Sequence, residues 1–145
     1  MTDAEAQPTG VHRLDGTRWH GESRLWLQPG AEAAVSDATA WFDGADLHYT
    51  WSLEGQEHRG TITVAEDRSA RWTDTFHQKT TMDCHPVEGP GALLSVLGAY
   101  DPPDSDWHWR TLLSVRPSGE LVLQMTNVTS WGEEAPAVQM VFVRD

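Results

Sequence analysis

Turn-forming residues cut this chain at short, regular intervals, and that spacing limits its fold more than any single motif does. The breaks are Pro29-Gly30, Asp43-Gly44, Glu54-Gly55, Glu66-Asp67, Gln78-Lys79, Glu88-Gly89-Pro90-Gly91, Asp101-Pro102-Pro103-Asp104, Pro117-Ser118-Gly119 and Gly132-Glu133-Glu134. These nine breaks leave ten segments of strand length, and none carries an apolar stripe of helical period. Short strands with turns between them predict an all-β sandwich or barrel. Helix is expected only as a single turn before Leu14. A chain of 145 residues makes one domain, expected at 13–145 behind a flexible segment at 1–12.

Alternation assigns the faces of the strands. Leu47, Tyr49, Trp51 and Leu53 form one face, and His48, Thr50 and Ser52 the other. The same pattern turns His58, Gly60, Ile62 and Val64 inward, then Ala70, Trp72, Asp74 and Phe76. Later it turns inward Trp107, Trp109, Thr111, Leu113 and Val115, then Leu121, Leu123, Met125 and Asn127. Of the eight tryptophans, Trp51, Trp72, Trp107 and Trp109 read as inward, Trp19 as an end plug and Trp26 as outward. A sheet closed around aromatic side chains is either a filled core or a ligand cavity.

Three inward residues are polar: His58, Asp74 and Asn127. Burying such a group without a partner costs about 1–3 kcal/mol, and more if it is charged. Asp74 is the sharpest case, because Trp72 and Phe76 flank it on the same face. Its candidate partners are His58, His77 and Arg110. Strict alternation points His77 and Arg110 outward; a bulge would reverse that. A satisfied internal network and a ligand-orienting role are both open to Asp74, since pockets place few polar groups among many apolar ones.

Charge and motif content narrow the function classes. The formal charge of −12 opposes binding to nucleic-acid phosphates or to anionic membrane surfaces. The N-terminal residues lack the basic start and apolar stretch of a secretory signal, and no span is long and apolar enough to cross a membrane as a helix. A single cysteine, Cys84, forbids an intrachain disulfide and fits a cytoplasmic location. The seven histidines have no zinc-protease spacing, so no metal is expected. There is no Gly-x-Ser-x-Gly elbow, and His85 would face away from its neighbour Cys84.

The segment Leu14-Asp15-Gly16-Thr17-Arg18-Trp19-His20-Gly21 resembles the Gly-x-Trp start of calycins, with one extra residue between Gly16 and Trp19. Three later stretches are Trp72-Thr73-Asp74-Thr75-Phe76-His77, Gly98-Ala99-Tyr100 and Trp107-His108-Trp109-Arg110-Thr111. Together with the start, they resemble a bacterial lipocalin-like family, domain of unknown function fifteen seventy-nine, from about Leu14 to Arg144. The resemblance implies a ten-stranded antiparallel barrel with an internal cavity, and no activity. Phe76 departs from it, standing where a tryptophan is expected before His77, which would widen the cavity. The start also resembles the heme-binding nitrobindins. Their heme histidine lies on a late strand, whereas here no histidine follows His108, which alternates outward.

The expectation is therefore a closed antiparallel barrel that binds a small, mostly apolar or amphipathic molecule without catalysis or cofactor. Tyr49, Trp51, Trp72, Phe76 and Trp109 would supply apolar contact. His58, Asp74, His77 and Arg110 would orient a polar end. The alternatives are an enzyme using Asp74 with His58 or His77 as acid and base, a heme protein, or a filled barrel whose role lies in a surface interface such as a homodimer's.

Overall fold

A computed structural model describes residues 10–100 and 106–145. A 3-10 turn, Val11–Leu14, precedes ten strands. They are β1 (Arg18–Leu25), β2 (Ala34–Asp43), β3 (Asp46–Leu53), β4 (Gln56–Val64), β5 (Ala70–Asp74), β6 (Gln78–Pro86), β7 (Leu94–Ala99), β8 (His108–Val115), β9 (Leu121–Val128) and β10 (Glu134–Arg144). Each strand pairs antiparallel with the next, and β10 returns to β1, so the sheet closes into a ten-stranded barrel. Closure leaves no unpaired edge.

Burial follows the expected alternation. Leu47, Tyr49 and Trp51 of β3, Ile62 and Val64 of β4, and Leu121, Leu123 and Met125 of β9 are buried. β2 turns Ala38, Ala40 and Phe42 inward and β10 turns Val138, Met140 and Phe142. The β9–β10 register shifts between Pro136 and Val138, where a residue without an N–H cannot serve a regular ladder. The outer face of β1 carries Arg18, His20, Glu22 and Arg24, the reverse of a lipid-facing apolar band. Among the described residues no helix is long and apolar enough to cross a membrane.

Three expectations need correction. Gln78-Lys79 is not a turn: both residues open β6, and the chain turns at residues 75–77. Trp107 does not face the core but is 39% exposed, because β8 begins only at His108 and alternation does not govern the loop before it. Val115 does not face the core either but is 41% exposed, because it is the last residue of β8 and lies at the barrel's end. The Asp101-Pro102-Pro103-Asp104 break lies outside the described residues, as do residues 1–9.

The up-and-down order gives the barrel two unlike ends. At the lower end the Val11–Leu14 turn closes the opening, with Leu14 against the core. The Trp19 indole N–H donates to Thr17 Oγ1 at 2.8 Å, and that hydroxyl donates to the Leu14 carbonyl at 2.6 Å. Trp19 is thus an end plug with its polar atom satisfied. The upper end collects the loops that follow the odd-numbered strands. Exposed Leu27, Phe76, Trp107 and Trp131 all lie there. Trp107 and Trp131 meet edge to face at 5.9 Å.

Close packing across β3 and β4 depends on one glycine. A Cβ at Gly60 would stand 2.2 Å from the Tyr49 ring and hydroxyl, so only glycine lets the phenol cross that strand. Gly60→Ala is expected to destabilise the protein by about 1–3 kcal/mol. Urea denaturation should read this as a lower midpoint at unchanged slope.

Candidate binding site at the upper end of the barrel

Asp74 ends β5 and is 2% exposed. Its carboxylate accepts hydrogen bonds at both oxygens. Oδ2 takes the Tyr49 hydroxyl at 2.7 Å and, more weakly, the Trp51 indole N–H at 3.4 Å. Oδ1 takes the backbone N–H groups of Phe76 and His77 at 2.8 and 3.0 Å. The Tyr49 oxygen in turn accepts the Trp72 indole N–H at 2.9 Å. Burial first, and the Asp74 charge second, push the Tyr49 phenol well above its ordinary range, so it remains a donor.

This network also folds the chain. A carboxylate accepting the N–H groups two and three residues ahead makes an Asx-type turn. The β5–β6 register shifts between Trp72 and Asp74 at the same place. Thr75 stays tied to β4: its N–H donates to the Arg59 carbonyl at 2.9 Å, and its hydroxyl lies 3.0 Å from His58 Nδ1. The irregularity resets the alternation, and His77 enters the barrel instead of facing solvent.

There His77 meets rings on several sides. Its imidazole lies 5.6 Å from Trp51 in a stacked pose, 5.3 Å from Trp109 and 4.9 Å from Phe76 edge to face. Trp72 and Trp109 stack at 4.8 Å with planes 8° apart. Such a pair contributes about 0.5–1.5 kcal/mol beyond its buried area. Trp51 also stacks on His58 at 4.8 Å. Nearby, the Tyr100 hydroxyl donates to the Asn127 side-chain oxygen. His77 is held below its ordinary value, chiefly by burial and also by His58, with Asp74 acting in the opposite direction. Its imidazole is therefore neutral at pH 7.

Among the described residues four buried side-chain polar atoms have no protein partner: Ser23 Oγ on β1, and His77 Nε2, Trp109 Nε1 and Thr111 Oγ1. Trp109 is 2% and Thr111 1% exposed, and both belong to the inward face of β8. An unpaired buried donor costs about 1–3 kcal/mol, and two of these atoms, His77 Nε2 and Trp109 Nε1, belong to rings 5.3 Å apart.

The structure brings most of the expected residues together. Tyr49, Trp51, His58, Trp72, Asp74, His77 and Trp109 converge at the upper end. Phe76 sits on the rim, 38% exposed, with its edge against Trp51 and His58. Arg110 does not join them: it points outward and pairs with Glu134 at 3.0 Å. None of the three side chains proposed as partners of Asp74 bonds its carboxylate; Tyr49 and Trp51 do, with backbone N–H groups. Sequence reasoning missed the Tyr49 hydroxyl because only its apolar ring was weighed. It missed Tyr100 as the partner of Asn127 because that pairing crosses from the end of β7 to β9. Cys84 is buried away from exposed His85, and burial, with Asp83 adding, pushes its thiol up to about 11. Among the described residues no group of three or more His, Cys, Asp or Glu is placed to hold a metal.

Compared with known proteins, the chain matches no family model and no curated protein.

Asp74→Ala should cost about 3–5 kcal/mol, because it strands the Tyr49 hydroxyl and two backbone donors. Tyr49→Phe should cost about 1–3 kcal/mol; chemical denaturation checks both. A pH effect follows from His77. Its unfolded imidazole gains a proton as pH falls below about 6.5, while the folded one resists until a lower pH. The unfolded state then binds more protons, so stability falls with pH in that window and levels off beneath the depressed folded value. Denaturation midpoints from pH 7.5 downward should show the decline, and His77→Phe should remove its share of the slope.

Proposed function

We propose that this protein is a non-catalytic binder of a small, largely apolar molecule held at the upper end of the barrel. The observation that carries the reading is the pair of buried, unpartnered nitrogens, Trp109 Nε1 and His77 Nε2, on rings 5.3 Å apart among further aromatics. Binding sites combine mostly apolar walls with a few convergent polar groups. Exposed Phe76, Trp107, Trp131 and Leu27 surround the same end, where a ligand would enter. The proposal includes membership of the lipocalin-like family named above, supported by its motifs and by the barrel fold. It also includes a cytoplasmic location, supported only by the lone, unreactive thiol of Cys84.

Acid–base catalysis by Asp74 is less well supported. Both its oxygens are engaged by four donors, and its position is explained by the turn it holds. The heme reading gains one observation, since a buried neutral imidazole with a free Nε2 is what an axial ligand requires. It lacks another: none of the ten Lys and Arg residues is buried to meet the propionates.

Native mass spectrometry of protein purified from its source tests the proposal. A retained organic adduct is expected, lost on gentle denaturation and weakened in Trp109→Leu. Protein that carries no adduct and shows no saturable change in tryptophan fluorescence with any small aromatic would overturn it. A Soret band that appears on adding hemin and disappears in His77→Phe would replace it with the heme reading.

A further inference from the structure

The donor set and the charge balance of this end limit which ligand it can take. Trp109 Nε1 is a donor only, 2% exposed and without a protein acceptor. Thr111, two residues along the same inward face, adds a hydroxyl that is likewise buried and unpartnered. His77 Nε2 adds a third polar atom on a ring that touches Trp109. The ligand must therefore present at least one hydrogen-bond acceptor.

An anion would be the obvious acceptor, and carboxylates are common barrel ligands, but the interior is wrong for one. The ten Lys and Arg residues all fall within the described residues, and none is buried. Arg110, the one cation expected near the site, is held outside by Glu134. The fixed charge inside is the Asp74 carboxylate, adjacent to His77 through its backbone. The chain as a whole carries a formal charge of −12 and repels anions on approach. A charged ligand here would be desolvated with no counter-charge, which is strongly unfavourable.

The walls set the shape. Trp72 and Trp109 stack on each other and Trp51 stacks on His58 and His77, so those faces are taken; the exposed aromatic surface at this end is that of Phe76, Trp107 and Trp131, which suits a flat ring system. We infer that the site takes an uncharged, flat, largely apolar molecule whose neutral acceptor, a carbonyl or its equivalent, is met by Trp109 Nε1 with Thr111 and His77 beside it. The inference rests on the binder reading above and narrows it to one chemical class, excluding fatty acids and other carboxylates.

Calorimetric titration with three probes of one ring system tests it: acetonaphthone, naphthoate and naphthalene, at pH 8. Acetonaphthone should bind at least about tenfold more tightly than naphthoate, and several-fold more tightly than naphthalene. Trp109→Phe keeps a ring but removes the donor, and should abolish the preference for acetonaphthone over naphthalene. Thr111→Val provides a second variant with a smaller loss should Trp109→Phe not fold, and the wild-type ratios need no variant. Naphthoate binding as tightly as acetonaphthone overturns the inference and leaves the binder reading standing. Equal affinity for acetonaphthone and naphthalene also overturns it, since no acceptor would then be read. If none of the three binds, the inference fails, and the adduct found or not found by native mass spectrometry decides the broader reading separately.

Discussion

The upper half of this barrel depends on one buried carboxylate and the donors it gathers. Asp74 joins three elements at once: the Tyr49 phenol and Trp51 indole of β3, the backbone of the turn at residues 75–77, and, through Tyr49, the Trp72 indole of its own strand. A charge at this depth is tolerable only because both oxygens are occupied by donors. Its geometry then shapes its surroundings. The turn it makes shifts the β5–β6 register, and the shift delivers His77 to the interior.

The same arrangement separates structural polarity from available polarity. Asp74, Tyr49 and the Trp72 N–H satisfy one another, and Tyr100 and Asn127 do the same. His58 is held against Thr75. Trp109 Nε1, Thr111 Oγ1 and His77 Nε2 stand apart from these networks. Ser23 Oγ on β1 is the other buried side-chain polar atom without a partner among the described residues, and it stands on no aromatic ring. The lower end offers no such contrast: Trp19, Thr17 and Leu14 close it with every side-chain polar atom of that chain of bonds engaged.

Much of the fold was legible before any coordinates. Turn residues every ten or so positions set the number of strands, and alternation sorted faces correctly in β3, β4 and β9 and in β8 as far as Leu113. Both signals are local, arising from backbone preferences and the two-residue period of a strand. Legibility failed where local rules are suspended. At Gln78-Lys79 the composition suggests a turn, yet Asp74 makes the turn three residues earlier. At Trp107 the strand had not yet begun. The site was half legible: Asp74 stood out as an inward carboxylate, but its importance was read as ligand contact before its partners could be seen. Arg110 and His77 share an outward parity in the sequence, and only His77 is reversed.

The sequence by itself determined a ten-stranded, aromatic-rich barrel, because composition and alternation act through neighbours a few residues apart. The tertiary structure alone decided which end is plugged, which polar atoms remain unpaired, and that His77 rather than Arg110 enters the barrel. Those outcomes depend on hydrogen bonds between residues far apart in the chain, Tyr49 with Asp74 and Tyr100 with Asn127. A periodic pattern carries no information about whether a buried donor will meet its acceptor once the sheet has closed.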